Sequence, residues 1–198
     1  MVKMKIGVIL RKVNDRFTLN EELERVISYY NASVVGITSF DVDLLNYVDG
    51  FILQGGLDYT ELDLKITSYL YEHDIPTLGI CLGMQTMGVM RQGILKVLET
   101  DKHYSLDKRI VHDVKIDTNS KFYDIIKKDK ISVNSRHHEV LEKTSLSIVG
   151  YSDDGVIEVI EDASRKFFIG VQWHPETHFS QDEISKKLFD YYFKILSR

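Results

Sequence analysis

In the first half of the chain, short apolar runs alternate with stretches whose apolar positions recur at helical spacing. Ile6 to Leu10 reads as a strand. The next stretch places Leu23, Val26, Ile27 and Tyr30 on an i, i+3, i+4, i+7 face, with Asn20 as a cap and Glu21 and Glu22 in the first turn of the predicted helix. Ala32 to Ile37, Phe51 to Leu53 and Thr77 to Ile80 read as buried strands, and a helix is expected from about Asp63 to Tyr71. Strands that alternate with helices in this way imply a parallel sheet.

Beyond Met90 the rhythm changes. Ile110 to Ile116, Ser145 to Tyr151, Val156 to Ile160 and Phe167 to Gln172 read as strands with few helices between them, and Asp154-Gly155 is a hairpin signal joining two of them. They predict an antiparallel extension of the first sheet rather than a second domain. A final helix with Ile184, Leu188, Tyr191, Tyr192, Ile195 and Leu196 on one face would pack back over the sheet. With no repeat, no low-complexity segment and only two prolines, residues 1–198 are expected to form a single unit.

The chain's one cysteine sits in Gly79-Ile80-Cys81-Leu82-Gly83, between a predicted strand and a stretch, Leu82 to Met90, that can continue as a helix. A lone cysteine is most often a small buried hydrophobe. Here the strand, the sharp turn and the helix, with glycines two residues to either side, give the geometry of a nucleophile elbow with sulfur in place of oxygen. A helix N-terminus beneath the thiol favours the thiolate.

Near the C-terminus, His174-Pro175-Glu176 would place an imidazole and a carboxylate on one side of an extended segment, and Pro175 marks a strand end or edge where side chains can reach a site. A thiol, a base and a carboxylate that orients the base are the parts of a nucleophilic triad. Between the two lies Phe51-Ile52-Leu53-Gln54-Gly55-Gly56, a strand ending in paired glycines. Such glycines let a backbone N–H approach a substrate oxygen and complete an oxyanion hole with the N–H after the nucleophile.

Gly79 to Gln85 together with Gly170-Val171-Gln172-Trp173-His174-Pro175-Glu176 resembles the class I glutamine amidotransferase family, whose members hydrolyse a γ-glutamyl amide through a Cys-His-Glu triad. Val133-Asn134-Ser135-Arg136-His137-His138 is similar to the γ-glutamyl hydrolase branch, including the γ-glutamyl-γ-aminobutyrate hydrolases. The resemblance implies Cys81 as nucleophile, His174 as base and Glu176 as its orienter, with oxyanion N–H groups from Gly56 and Leu82. It also implies that Gly55, Gln85, Ser135, Arg136 and His137 contact the γ-glutamyl group. The expected fold is a single flavodoxin-like open mixed sheet, with a parallel core, an antiparallel extension and helices on both faces. The implied partners are a small γ-glutamyl substrate or, in the alternative, a separate synthase that receives ammonia; no cofactor is implied. The chain has Gln54 where branch members commonly have proline, Glu139 where they have glutamine, and only Leu57 to Asp74 where they carry a longer insertion.

Composition narrows the alternatives. Hydrophobic residues at 43% and charged residues at 28% are ordinary globular values, and a net charge of −5 argues against general nucleic-acid binding. A single cysteine cannot form an internal disulfide, and the start Met1-Val2-Lys3-Met4-Lys5 leads into a strand-like run without a signal peptide or membrane span, so a cytoplasmic protein is expected. Seven histidines invite a metal reading, but neighbours such as His137 and His138 point to opposite faces of a strand, and no metal site is expected. His103 and His112 read as structural or solvent residues and His73 as surface, while His178 could line the mouth of the site. Arg91 and Arg136 are the candidate cations for a carboxylate-bearing leaving group.

Overall fold

In the computed structural model, which describes residues 3–197, the chain opens with β1 (Lys5–Ile9), a small hairpin of β2 (Arg11–Val13) and β3 (Arg16–Thr18), then α1 (Glu21–Tyr29) and β4 (Ser33–Ile37). It continues through α2 (Val42–Tyr47), β5 (Gly50–Leu53), α3 (Glu61–Glu72), β6 (Thr77–Ile80) and α4 (Leu82–Met90). The second half runs β7 (Ile94–Val97), β8 (His112–Ile116), α5 (Lys121–Ile126), β9 (Lys130–Val133), β10 (Glu139–Lys143), β11 (Ser147–Ser152), β12 (Ile157–Glu161), β13 (Phe168–Val171) and α6 (Glu183–Leu196). Met1, Val2 and Arg198 lie outside the described residues.

The main sheet runs in the order β4-β1-β5-β6-β13-β12-β11-β8-β9. Its first five strands are parallel and the rest extend it antiparallel. This is a mixed α/β sheet of the flavodoxin-like kind, as the alternating pattern implied. Burial on both faces explains why its central strands read as unbroken apolar runs. β5 sends Ile52 to one face, where Leu23, Ile126 and Leu188 of α1, α5 and α6 complete the core. Phe51 and Leu53 go to the other face, where they meet Leu45, Ile66 and Met84 of α2, α3 and α4.

Local signals set most helix starts. Asn20 accepts from the Leu23 N–H at 3.0 Å, as a cap should. Thr60 and Asp63 form a reciprocal capping box, so α3 begins at Glu61, earlier than the apolar pattern alone indicates. The predicted strands from Ile110 and Ser145 start two residues later, at His112 and Ser147. The β2–β3 hairpin, α5, β9 and a β7–β10 ribbon were not expected. These pieces are short, and β2, β3 and β7 are half exposed, so they carry little apolar periodicity.

One topological fact positions the site. The chain returns from its antiparallel extension to insert β13 beside β6, pairing Gly170 with Gly79 and Val171 with Ile80. The Cys81 N–H donates to the Val171 carbonyl at 2.9 Å. Residues that follow the two strands therefore emerge side by side at the carboxyl end of the sheet, where open α/β sheets bind ligands.

Candidate active site

Cys81 stands between β6 and α4 with φ 52° and ψ −106°, a strained backbone for a residue with a side chain. The flanking glycines make the turn possible. A Cβ on Gly83 would lie 2.0 Å from the Leu53 carbonyl oxygen, and one on Gly79 would lie 2.3 Å from Met87 Sδ and 2.8 Å from the Met84 nitrogen. Cys81 keeps 6% exposure. The Gln172 amide donates toward its Sγ at 3.6 Å, and Gln85 in turn donates to the Gln172 side chain at 3.3 Å. Gln172 lies in the C-terminal motif two residues before His174, which was the only sequence signal for its place here.

His174 Nδ1 lies 2.8 Å from Glu176 Oε1. The two residues sit in a turn after β13, so the carboxylate reaches the ring by chain reversal and not by strand alternation. Burial opposes charge on the imidazole, but the Glu176 carboxylate and the Cys81 sulfur outweigh it and hold His174 protonated well above pH 6.5. The backbone of His174 is clamped by Asn134, whose Oδ1 accepts from the His174 N–H at 2.9 Å and whose Nδ2 donates to the carbonyl at 2.8 Å. Gly55 is wedged against both partners: a Cβ there would lie 2.9 Å from His174 Cε1 and 3.7 Å from Cys81 Cβ.

Gly56 packs on the residue after the cysteine, since a Cβ on it would meet Leu82 Cδ2 at 2.8 Å and Arg11 Nε at 3.0 Å. The two segments expected to supply oxyanion N–H groups are thus in contact. Beyond Gly56 opens a cleft of about 580 Å³ whose walls include Arg11, Val13, Phe17, Leu57 and Asp58. Gln54, which stands where proline was expected, is buried and ties this region together. It donates to the Ile9 and Thr18 carbonyls at 2.8 and 3.3 Å and accepts from the Asn20 N–H at 2.9 Å.

Other expected contacts are redirected. Gln85 donates to the Glu139 carbonyl at 2.7 Å, and because the acceptor is main chain the glutamate side chain there is no obstacle. Ser135 is fully buried, its hydroxyl donates to the His103 carbonyl at 2.6 Å and its carbonyl accepts from the Ser105 N–H at 2.9 Å, which leaves its N–H as the group that could face a pocket. His137 is also buried, with its ring among other histidines, so its side chain is withdrawn from the expected γ-glutamyl contact. Arg136 and Arg91 each have a buried Nε without a partner, and the Arg91 guanidinium packs over the Tyr71 ring at 4.7 Å. His178 lines a 150 Å³ cavity with Asn134 and Trp173, and exposed His73 stacks on Tyr69.

The expectation of no metal-ligating set needs correction. His137 and His138 do diverge, the first buried and the second exposed. Yet His137 meets His103, His112 and Glu158, brought from distant parts of the chain, and one donor atom from each lies within 4.8 Å of the others. Neither His103 nor His112 is a solvent residue. The sequence signal was a glutamate in the apolar run Val156 to Ile160. Its neighbour Glu161 is satisfied by the Lys121 and Phe122 N–H groups at the start of α5, at 2.9 and 2.8 Å. Both oxygens of Glu158 lack a hydrogen-bond partner, an omission that ordinarily costs about 1–3 kcal/mol for each buried group.

Comparison with known proteins fits this geometry. A family model described as Peptidase C26 matches residues 58–176. The chain is 28% identical over 129 residues to a glutamine-hydrolysing GMP synthase of Francisella tularensis, a match covering 65% of this chain and 24% of the relative. It is 32% identical over 134 residues to the corresponding enzyme of Enterococcus faecalis, covering 67% of this chain and 25% of the relative. The chain thus spans about a quarter of the length of these curated relatives. Among solved structures it is similar to a candidate GMP synthase subunit from Thermoplasma acidophilum, with a TM-score of 0.76, 20% identity and coverage of 100% of this chain and 96% of the other. A glutamine amidotransferase from Thermotoga maritima superposes with a TM-score of 0.72 at 13% identity, covering 100% of both chains.

Proposed function

Since the chain belongs to the Peptidase C26 family, we propose that it hydrolyses the γ-glutamyl amide bond of a small γ-glutamyl compound through Cys81, His174 and Glu176, releasing glutamate and an amine. The observation that carries this reading is the 2.8 Å contact between His174 and Glu176 on a segment that β13 delivers beside the Cys81 elbow. In this reading the Cys81 thiolate adds to the γ-carbonyl carbon, and the N–H groups of Gly56 and Leu82 receive the oxyanion. The tetrahedral adduct collapses as His174 gives its proton to the leaving nitrogen, which breaks the C–N bond and leaves a γ-glutamyl thioester. Water then loses a proton to His174 and adds to the thioester carbon. Expulsion of the thiolate frees glutamate. Gly55, Gln85 and the main chain around Ser135 and Arg136 would hold the glutamyl part.

A second reading keeps the chemistry and changes the recipient. The curated relatives are glutamine-hydrolysing GMP synthases of which this chain matches about a quarter, which supports a glutaminase unit that delivers ammonia to a separate synthase partner. Assay of the isolated protein on glutamine and on bulkier γ-glutamyl amines distinguishes the two. A free-standing hydrolase turns over the amines and ignores glutamine, whereas a synthase-dependent glutaminase takes glutamine slowly until its partner is added. Cys81→Ala should abolish turnover in either case, and Glu176→Ala should lose less than His174→Ala. Equal rates for wild type and Cys81→Ala on every substrate would overturn both readings.

A further inference from the structure

We propose that His103, His112, His137 and Glu158 form a closed four-ligand site for a divalent transition-metal ion, Zn²⁺ by its donor set, separate from the nucleophile. Glu158 Oε1 lies 3.4 Å from His103 Nδ1, 3.4 Å from His112 Nε2 and 3.8 Å from His137 Nε2. These separations are longer than the usual hydrogen bond of about 2.7–3.2 Å, and none of the three meets hydrogen-bond geometry. The two shorter ones match the edge of a tetrahedron built on metal–ligand bonds of about 2.0–2.1 Å, which is about 3.3–3.4 Å, and all four donor atoms lie within 4.8 Å of one another.

As a purely organic cluster the arrangement is poor. His103 Nδ1, His112 Nε2, both nitrogens of His137 and both oxygens of Glu158 are buried without hydrogen-bond partners. A cation among them gives four of these atoms a partner and offsets the buried carboxylate. The ligand types are right for zinc, since it binds imidazole nitrogen and carboxylate oxygen, and the net positive centre that three neutral imidazoles and one carboxylate leave is balanced by the Asp154 carboxylate on His103.

The outer shell has the form seen around bound metals. His103 Nε2 is held by both oxygens of Asp154 at 3.1 Å, and Asp154 accepts from Ser152 Oγ at 2.5 Å. A carboxylate on the far nitrogen fixes the tautomer that presents Nδ1 to the cluster. An open cleft of about 630 Å³, lined by His103, His112 and Asp154, leads to the cluster from solvent. With four protein ligands no coordination position is left for water, so the ion would brace structure and take no part in hydrolysis. It would fasten the segment before β8, β8 itself, β12 and the loop after β9, the loop that also carries Asn134.

Equilibrium dialysis of the full chain against Zn²⁺, read by elemental analysis, tests the site, with Co²⁺ as the optical probe. One ion per chain and the visible absorption of tetrahedral Co²⁺ are expected, both retained in Cys81→Ala. Asp154→Asn, a half-exposed position that does not endanger the fold, should weaken the ion by about 10–100-fold. Glu158→Gln should weaken it further. An apo chain that takes up no ion, octahedral Co²⁺ spectra, unchanged affinity in Asp154→Asn, or loss of the ion in Cys81→Ala would each overturn the proposal. If Glu158→Gln does not fold, the wild-type stoichiometry, the Co²⁺ spectrum and Asp154→Asn still decide it.

Discussion

Asn134 holds His174 by both of its main-chain polar groups, accepting from the N–H at 2.9 Å and donating to the carbonyl at 2.8 Å. A side-chain amide is the one group whose donor and acceptor lie side by side in the spacing of a backbone rung. The histidine is thus fixed by its main chain as well as by Glu176, although it lies just past the end of β13, where strand hydrogen bonds no longer define it. Asn134 lies in the loop after β9, 40 residues from His174 in sequence, so the clamp exists only in the finished fold.

Asn134→Ala should lower kcat by about 10–100-fold with a smaller change in KM, because an ångström of drift in the base is worth about that much. Steady-state assay on the best γ-glutamyl substrate checks it. A variant with wild-type kcat would show that Glu176 alone positions the ring.

Gly55→Ala and Gly83→Ala should fail differently. At Gly55 the new methyl meets only the His174 ring closely, at 2.9 Å from Cε1, so the protein should fold and lose about 100-fold in kcat. At Gly83 it meets the Leu53 backbone at 2.0 Å. Nothing flexible can yield there, and a destabilisation of about 3 kcal/mol or more is expected. Chemical denaturation and activity, measured together, separate the two outcomes.

The charge of His174 gives a pH signature. Burial disfavours the imidazolium, and Glu176 and Cys81 more than offset this, so the folded pKa lies well above the unfolded value near 6.5. Stability from this group is full below pH 6.5 and is lost as pH rises through the folded value. The denaturation midpoint of wild type should therefore decline on the alkaline side, and Glu176→Gln should flatten that decline. Parallel profiles for the two proteins would contradict the assignment.

Gln54→Ala should loosen the β2–β3 hairpin. It strips partners from the Ile9 and Thr18 carbonyls and the Asn20 N–H, at about 1–3 kcal/mol for a buried group left unsatisfied. Limited proteolysis should then cut between Arg11 and Thr18, faster than in wild type. Unchanged cleavage there would mean that the Arg11–Asp63 ion pair suffices to hold the hairpin.

Much of this architecture is legible in the sequence because burial and period agree. Leu23, Val26 and Ile27 give α1 its face, and the unbroken runs of β5 and β6 follow from cover on both sides. The Cys81 elbow was legible because glycine at 79 and 83 has a steric cause. The clamp by Asn134 was not, since a bond to main chain leaves no pattern in the partner's side chain. The histidine cluster stayed hidden for a related reason. Its members stand on four segments that the pairing of β12, β11, β8 and β9 brings together, and the alternation of His137 with His138 says nothing about neighbours so remote in sequence. Ser135 was misdirected in the same way, its hydroxyl being used by the His103 carbonyl.

The insertion of β13 beside β6 has a temporal consequence. A ribosome releases the thiol-bearing elbow long before it makes β13 and the imidazole that follows it, and no fragment ending before β13 can contain both. Pairings this remote along the chain are closed late and slowly. Until β13 docks, Cys81 stands without His174 and the Asn134 latch that holds it, so the hydrolysis proposed above depends on this late pairing.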